Sequence, residues 1–280
     1  MALVTMNVLL ERVKEKKIGC GSFSIYSVEM LRGVVRAAEE KKTPIILQIA
    51  EGRFQTAPIE IYGPLLVEAA RNSTVDIAVH LDHGINFSTV EKVLNMGFTS
   101  VMYDGSHLPF EKNIENTKKV KEMADTFGAD TEAELGLVGR SEGGDHDYGV
   151  AYTVPEDAKI FLEKTGVAAL AIAIGNQHGN YTSAPELRID ILDQIHKMIP
   201  EESLVLHGGS GITDKDFQMC IRHGMCKINI ATAIINGMLG GIKKSLDLGL
   251  DFYKMNAMMV EDSYKVAKHH IEVFNMETLK

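Results

Sequence analysis

The sequence has three cysteines, seven prolines and no tryptophan. A thin and odd cysteine count excludes a disulfide-stapled scaffold and is the usage of a reducing, cytoplasmic compartment. Cys220 and Cys226 are too far apart for a CxxC pair, and no fourth thiol completes a zinc site. Cys20, Cys220 and Cys226 therefore read as small buried apolar residues. Long hydrophobic runs are also missing, and none approaches the ~18 residues that a membrane span needs. Positive charge is in deficit: 29 basic against 38 acidic residues leave a formal net charge of −9. Such a chain is a poor partner for nucleic acid or an anionic membrane, so an anionic substrate needs a local site rather than a global field. Residues 1–17 have no basic start, and charges follow their apolar part at once, unlike a signal peptide. The spacing of Met6, Leu9, Leu10 and Val13 predicts an amphipathic helix instead.

What is present is a regular alternation. Short apolar or β-branched runs fall at 18–26, 44–49, 77–83, 100–105, 130–136, 169–175, 204–210 and 227–232. Helix-period segments such as 27–42 and 111–128 separate them. Near-continuous apolar strands joined by helices imply a parallel sheet. Eight such units in 280 residues fit a single-domain (β/α)8 TIM barrel, spanning 1–280, with additional terminal helices. An open doubly wound sheet fits less well, because no GxGxxG follows the first strand. The glycine-rich, acidic stretch 137–153 is the longest predicted loop, and 252–278 reads as an extra helix packed on the outside or on a partner subunit.

Polar residues concentrate where these strands end. The third strand closes in HLDHG, the sixth in GNQHG and the seventh in LHGGSG, each setting a histidine before a glycine. Strand C-termini of a barrel converge on one face, so His83, His178 and His207 are predicted to meet. Three imidazoles with a fourth position open form the ligand pattern of a catalytic zinc. His80 reads as structural, and His107, His146, His196, His223, His269 and His270 as solvated. Acids share the same region: Asp82 precedes His83, Asp104 ends strand four, and Glu132 and Glu134 share one face of strand five by period-two alternation. Glu132 reads as part of a salt-bridged core. The segment 208-GGSG-211 is predicted to open a helix after strand seven, and 229-NIAT-232 to lead into another after strand eight. Turns of this kind present backbone N–H groups to a phosphate.

In combination HLDHG, SVMYDGSHLPF, EAELG, GNQHG, LHGGSGI and KINIAT resemble the class II, metal-dependent fructose-bisphosphate and tagatose-bisphosphate aldolase family, over nearly the whole chain. The resemblance implies Zn2+ on His83, His178 and His207, with an alternate metal position at Asp104 and Glu134. It implies proton exchange by Asp82 at the aldehyde-derived oxygen and by Glu142 at the nucleophilic carbon. It implies that Gly179, Gly208, Gly209, Ser210, Asn229, Ile230, Ala231 and Thr232 hold the phosphate of dihydroxyacetone phosphate, with a monovalent cation nearby. It also implies a homodimer or homotetramer acting on a small sugar phosphate. Such chemistry needs no Schiff-base lysine; Lys227, at the start of strand eight, reads as lying away from the active face.

The sequence departs from the family on the aldehyde side. Ser24 stands where relatives carry asparagine, GNQHG replaces GTAHG or GTSHG, and Arg140 and Ser141 precede Glu142. No arginine matches the one that holds the distal phosphate in bisphosphate-specific relatives. Arg53 and Arg140 are the candidates for an anionic group on the acceptor. Two other functions share the site: a metal-dependent epimerisation or hydrolysis, and sugar-phosphate binding without catalysis.

Overall fold

The structure is a computed structural model that describes residues 2–139, 151–180 and 185–277. Glu142, Arg140, Ser141 and His146 lie outside the described residues. In chain order the elements are α1 (Met6–Lys16), β1 (Cys20–Ser24), α2 (Val28–Lys41), β2 (Ile45–Ala50), a 3-10 turn (Glu51–Arg53) and α3 (Ile59–Asn72). Then follow β3 (Ile77–Gly84), α4 (Phe87–Asn95), β4 (Ser100–Tyr103), α5 (Phe110–Thr126), β5 (Asp130–Leu135) and α6 (Pro155–Thr165). The second half continues with β6 (Ala169–Ile172), α7 (Ile189–Met198), β7 (Leu204–Leu206), α8 (Asp214–Arg222), β8 (Met225–Ile230), α9 (Thr232–Asp247) and α10 (Phe252–Phe274). The eight strands pair in sequence order, all parallel, and β8 closes on β1 with Cys20 opposite Lys227. The architecture is a (β/α)8 barrel with extra helices at its ends.

Apolar side chains leave the strands outward. Phe23, Leu47, Val79, Leu81, Val101 and Leu170 meet Val34, Leu66, Val90, Val120, Phe161 and Leu192 of the helix ring in one continuous core. The period-3.6 stripe of α1 is used differently. Met6, Leu9, Leu10 and Val13 form a second cluster with Cys20, Ile46, Ala78, Ala171, Val205 and Cys226, and so cap the N-terminal end of the barrel. Each leucine buried in this way stabilises the fold by about 2 kcal/mol. The predicted tail helix is α10, which lies along α2: Arg36 stacks its guanidinium on the Tyr264 ring at 3.9 Å, and Lys268 pairs with Glu40 at 2.7 Å. The three cysteines are free and buried. No helix among the described residues is long and apolar enough to cross a membrane.

The solvated reading of the outer histidines holds for His107 and His269, which are exposed. It fails for three others. His223 is half-buried and bonds Asp193 at 2.5 Å. His196 lays its ring against Gly224. His270 bonds the Val266 carbonyl at 2.8 Å and sits edge-on to Phe217 and Phe274. Each lies where a helix packs on its neighbour, and the apolar spacing that predicts the helix does not show how closely the next one approaches.

Candidate metal centre and active site

Most barrels of this kind fill their interior with branched aliphatic side chains. Here the interior toward the C-terminal ends of the strands is polar. Ser22, Ser24, Gln48, His80, Asp82, Ser100, Glu132, Glu134, His207, Lys227 and Asn229 are all buried. Their contacts join strands that are not neighbours, so they cross the interior: β5 to β8 through Glu132 and Lys227, and β8 to β3 through Asn229 and Asp82.

One ring nitrogen from each of His83, His178 and His207 falls within a common 4.8 Å. Three local devices bring them together. The first is in β3, where Asp82 and His83 are consecutive and a regular strand would turn them to opposite faces. His83 instead takes a left-handed φ of 45°, at a register shift between Leu81 and Gly84. Both side chains thereby reach the mouth, with His83 Nε2 4.0 Å from Asp82 Oδ1. A left-handed non-glycine residue is strained, and such strain collects at functional sites. The second device is Gly208, one residue past His207. It also has positive φ, and a Cβ there would stand 2.1 Å from the Gln177 carbonyl oxygen. Only glycine lets the end of β7 approach the His178 segment this closely. The third is the segment itself. Strand six ends at Ile172, earlier than the GNQHG motif suggests, so a loop carries His178. That loop is pinned where His178 N–H donates to the Gly139 carbonyl at 2.9 Å and the Asn176 amide donates to the His207 carbonyl at 3.0 Å.

The rings are oriented by carboxylates. Asp104 Oδ2 lies 2.8 Å from His83 Nδ1, and Glu132 Oε1 lies 2.9 Å from His207 Nε2. The opposite nitrogens, His83 Nε2 and His207 Nδ1, then face each other at 3.0 Å. A carboxylate on the outer nitrogen of a ligating imidazole fixes its tautomer and raises its basicity. Glu134 Oε2 is buried 3.3 Å from His207 Nδ1 and makes no hydrogen bond. A buried carboxylate oxygen without a donor, beside converging imidazole nitrogens, fits a divalent cation. His83, Asp104 and Glu134 form a second cluster within the same 4.8 Å limit. Burial opposes ionisation of Asp104 and Glu132. His83 and Ser106 outweigh it at Asp104, and Lys227 and His207 at Glu132, so both carboxyls sit well below the usual range. Burial, with Lys227 nearby, pulls His80 down to about 3, so it is neutral and structural, its Nδ1 bonded to Ser100.

Asp82 is held on both oxygens, by Gln48 Nε2 at 2.9 Å on Oδ2 and Asn229 Nδ2 at 3.1 Å on Oδ1. Gln48 also bonds Ser22 and donates to Ser24 Oγ at 3.0 Å, which gives Ser24 a part in aligning Asp82. The phosphate loops need one correction. The GGSG segment does not open a helix, because α8 begins at Asp214 behind an N-cap at Thr213. It lies against the start of α9 instead, where Ser210 Oγ accepts from Ala233 N–H at 2.9 Å. The segments after β7 and β8 are thus joined at one helix N-terminus, beside Ile230, Ala231 and Thr232. Asn229 turns its amide inward to Asp82 and Lys227. Gly179 has φ 82°, and a Cβ there would meet nothing within 4 Å among the described residues.

Lys227 is the second correction. It does not face away: it is fully buried in the barrel interior, 2.9 Å from Glu132 Oε2 and 2.8 Å from Asn229 Oδ1. Gln48 and Lys227 are polar residues inside apolar strand runs. That is the one signal in the sequence that marks them, since an unpaired amide or ammonium is costly to bury.

Residues 4–278 match the protein family described as fructose-bisphosphate aldolase class-II. The chain is 39% identical over 237 residues to a fructose-bisphosphate aldolase of Staphylococcus aureus, covering 83% of this chain and 82% of the relative. It is 36% identical over 260 residues to the fructose-bisphosphate aldolase of Staphylococcus epidermidis, covering 90% and 89%. Among solved structures, the YdjI aldolase from Escherichia coli K12 superposes with a TM-score of 0.88 at 31% identity, covering 97% of both chains.

Proposed function

The chain belongs to the class II fructose-bisphosphate aldolase family and is a class II aldolase, and from that premise we propose a zinc-dependent cleavage of a ketose 1-phosphate or ketose 1,6-bisphosphate, fructose- or tagatose-like, to dihydroxyacetone phosphate and an aldehyde. The observation that carries the proposal is the convergence of His83, His178 and His207 within 4.8 Å, beside an aligned Asp82 and the joined loops after β7 and β8.

In this reading His83, His178 and His207 hold zinc, with Asp104 and Glu134 as an alternate position. Zinc, when bound, supplies Lewis-acid polarisation of the substrate ketone. The protein's own groups do the rest. Asp82, fixed by Gln48 and Asn229, takes the proton of the C4 hydroxyl as the C3–C4 bonding pair passes to the ketone-bearing fragment and C4 becomes the aldehyde carbonyl. Glu142 returns a proton to the donor carbon. In condensation both transfers reverse. The donor phosphate lies at the N-terminus of α9, held by Gly179, by the 208–210 segment, whose Gly209 N–H donates to the Asn229 carbonyl at 3.2 Å and so ties it to β8, and by the 229–232 segment, with a monovalent cation alongside. The acceptor side is distinctive. Glu51 bonds Ile85 N at 2.6 Å and Thr89 Oγ1 at 2.6 Å, which ties the turn carrying exposed Arg53 to the segment after His83. Arg53 is therefore assigned to an anionic group of the acceptor. Exposed Leu246, Leu248, Phe252 and Tyr253 at the α9–α10 junction support a homo-oligomer, dimer or tetramer.

The test is exchange of a dihydroxyacetone phosphate proton with solvent deuterium, followed by NMR without any aldehyde. Exchange should vanish with a chelator and return with zinc. Zinc-loaded protein that exchanges nothing would overturn the assignment of the donor half-reaction.

A further inference from the structure

Lys227 has no part in the chemistry just described, yet it is the most unusual residue of the interior. A fully buried ammonium is expensive, and replacing a buried ion pair with apolar groups of similar size is often neutral or stabilising. Stability alone is a weak reason for a lysine here. Its contacts suggest another. The ammonium lies 2.9 and 3.2 Å from the two oxygens of Glu132 and donates to Asn229 Oδ1 at 2.8 Å. Each partner then makes one further contact. Glu132 reaches His207 Nε2 at 2.9 Å, and Asn229 reaches Asp82 Oδ1 at 3.1 Å. One cation thus stands one residue away from a proposed metal ligand and one residue away from the proposed acid/base.

Resting on the aldolase reading, we propose that Lys227 is the positioning residue that sets both halves of the site together. On one arm it holds the Glu132 carboxylate against His207 by contacting both of its oxygens. Glu132 then accepts a hydrogen bond from His207 Nε2–H, and His207 Nδ1 faces His83 with its lone pair. Without the ammonium the carboxylate is free to swing off His207, and the imidazole loses the contact that fixes its orientation. On the other arm Lys227 decides which way the Asn229 amide points. Nζ–H occupies the carbonyl oxygen, so the amide N–H2 is turned to Asp82. Without that lock the amide can reverse and set its oxygen against the carboxylate. The remaining neighbours do not replace Lys227. Gln48 serves only Oδ2 of Asp82, and His80 Nε2 is 3.8 Å from Glu132 and unbonded.

The decisive variant is Lys227→Met, which keeps the length and removes the charge. Three quantities are read on intact protein: the zinc dissociation constant by competition with a chromophoric chelator, and kcat and KM for fructose 1,6-bisphosphate or tagatose 1,6-bisphosphate cleavage at saturating zinc. Zinc binding should weaken at least 10-fold, and kcat at saturating zinc should fall at least 10-fold with KM little changed. In an Asn229→Ala background the kcat effect of Lys227→Met should largely disappear while its zinc effect persists. If Lys227→Met does not fold, the pair Lys227→Met/Glu132→Gln removes both charges of this ion pair and is measured instead, with the same 10-fold loss of zinc affinity expected. A folded variant of either kind that keeps zinc affinity and kcat within twofold of the parent overturns the proposal, whatever its melting temperature. Parent protein that cleaves neither ketose, together with Lys227→Met that binds zinc 10-fold more weakly, sinks the assigned reaction and supports the metal arm.

Discussion

Replacing Gly208 with alanine tests how the third imidazole is held. The new methyl would stand 2.1 Å from the Gln177 oxygen, 2.4 Å from the Gln177 carbonyl carbon and 3.0 Å from His178 N. All three are backbone atoms, so no side chain can rotate away. Ordinary contact needs roughly 3.4 Å or more, hence the Gln177–His178 peptide must retreat by about 1 Å. Alanine at φ 64° adds a conformational cost of about 1 kcal/mol. Gly128 separates the two effects: its φ is 67°, but a Cβ there meets nothing within 4 Å. Gly128→Ala should therefore lose about 1 kcal/mol, a fall in Tm of roughly 2–3 °C for a chain of this size, with zinc affinity intact. Gly208→Ala should lose about 2–3 kcal/mol and weaken zinc binding on the order of 10- to 100-fold, because His178 moves with the peptide. Thermal melts of zinc-free protein and chelator competition give both numbers. A Gly208→Ala protein that melts lower but binds zinc like the parent would refute the claim that this close approach positions His178.

Four further outcomes follow from the described geometry. Asp82→Asn should lower cleavage at least ~100-fold while zinc still binds, read by steady-state kinetics beside a zinc titration. Arg53→Ala should raise KM for an anionic aldehyde in condensation and leave dihydroxyacetone phosphate exchange unaltered; an unchanged aldehyde KM removes Arg53 from the acceptor site. Leu9→Ala should cost about 2–5 kcal/mol, since the side chain is wholly buried at the barrel floor, and chemical denaturation measures it. Burial pulls His270 down to about 4 from an ordinary 6.5. The unfolded chain therefore binds this proton first, and stability falls as pH drops from about 6.5 toward 4. His270→Gln should flatten that part of the stability profile, and an identical slope in the variant would show that other groups cause it.

The barrel was legible because its signals are local and repeated. Eight β-branched runs alternate with period-3.6 segments, and the structure closes them in order. Met6, Leu9, Leu10 and Val13 announce α1, and Phe127–Gly128 marks the end of α5. The histidine cluster was legible because strand ends of a closed barrel share one face. What escaped is set by geometry that no pattern carries. The length of β6 and the loop after it decide that His178 is not on a strand. A helix starting at Asp214 moves Ser210 from the mouth of α8 to the start of α9. Lys227 looks like the polar first residue of a strand, but β8 begins two residues earlier, at Met225. Lys227 is therefore mid-strand, and alternation puts it on the same inward face as Asn229. His270 reads as solvated until α10 is laid on Phe217.

The floor formed by α1 has a kinetic consequence. Met6, Leu9, Leu10 and Val13 close the chamber at the end opposite the histidines. Among the described residues that end is closed, so traffic is expected at the end where the histidines lie. On the proposed assignment the phosphorylated ketone is held by the imidazoles and the α9 N-terminus and the aldehyde only near Arg53, so the aldehyde is expected to leave first and the ketone last. In the synthetic direction the ketone enters first. Product-inhibition patterns should then be those of a compulsory sequence, with the ketone phosphate competing directly against the sugar and the aldehyde not.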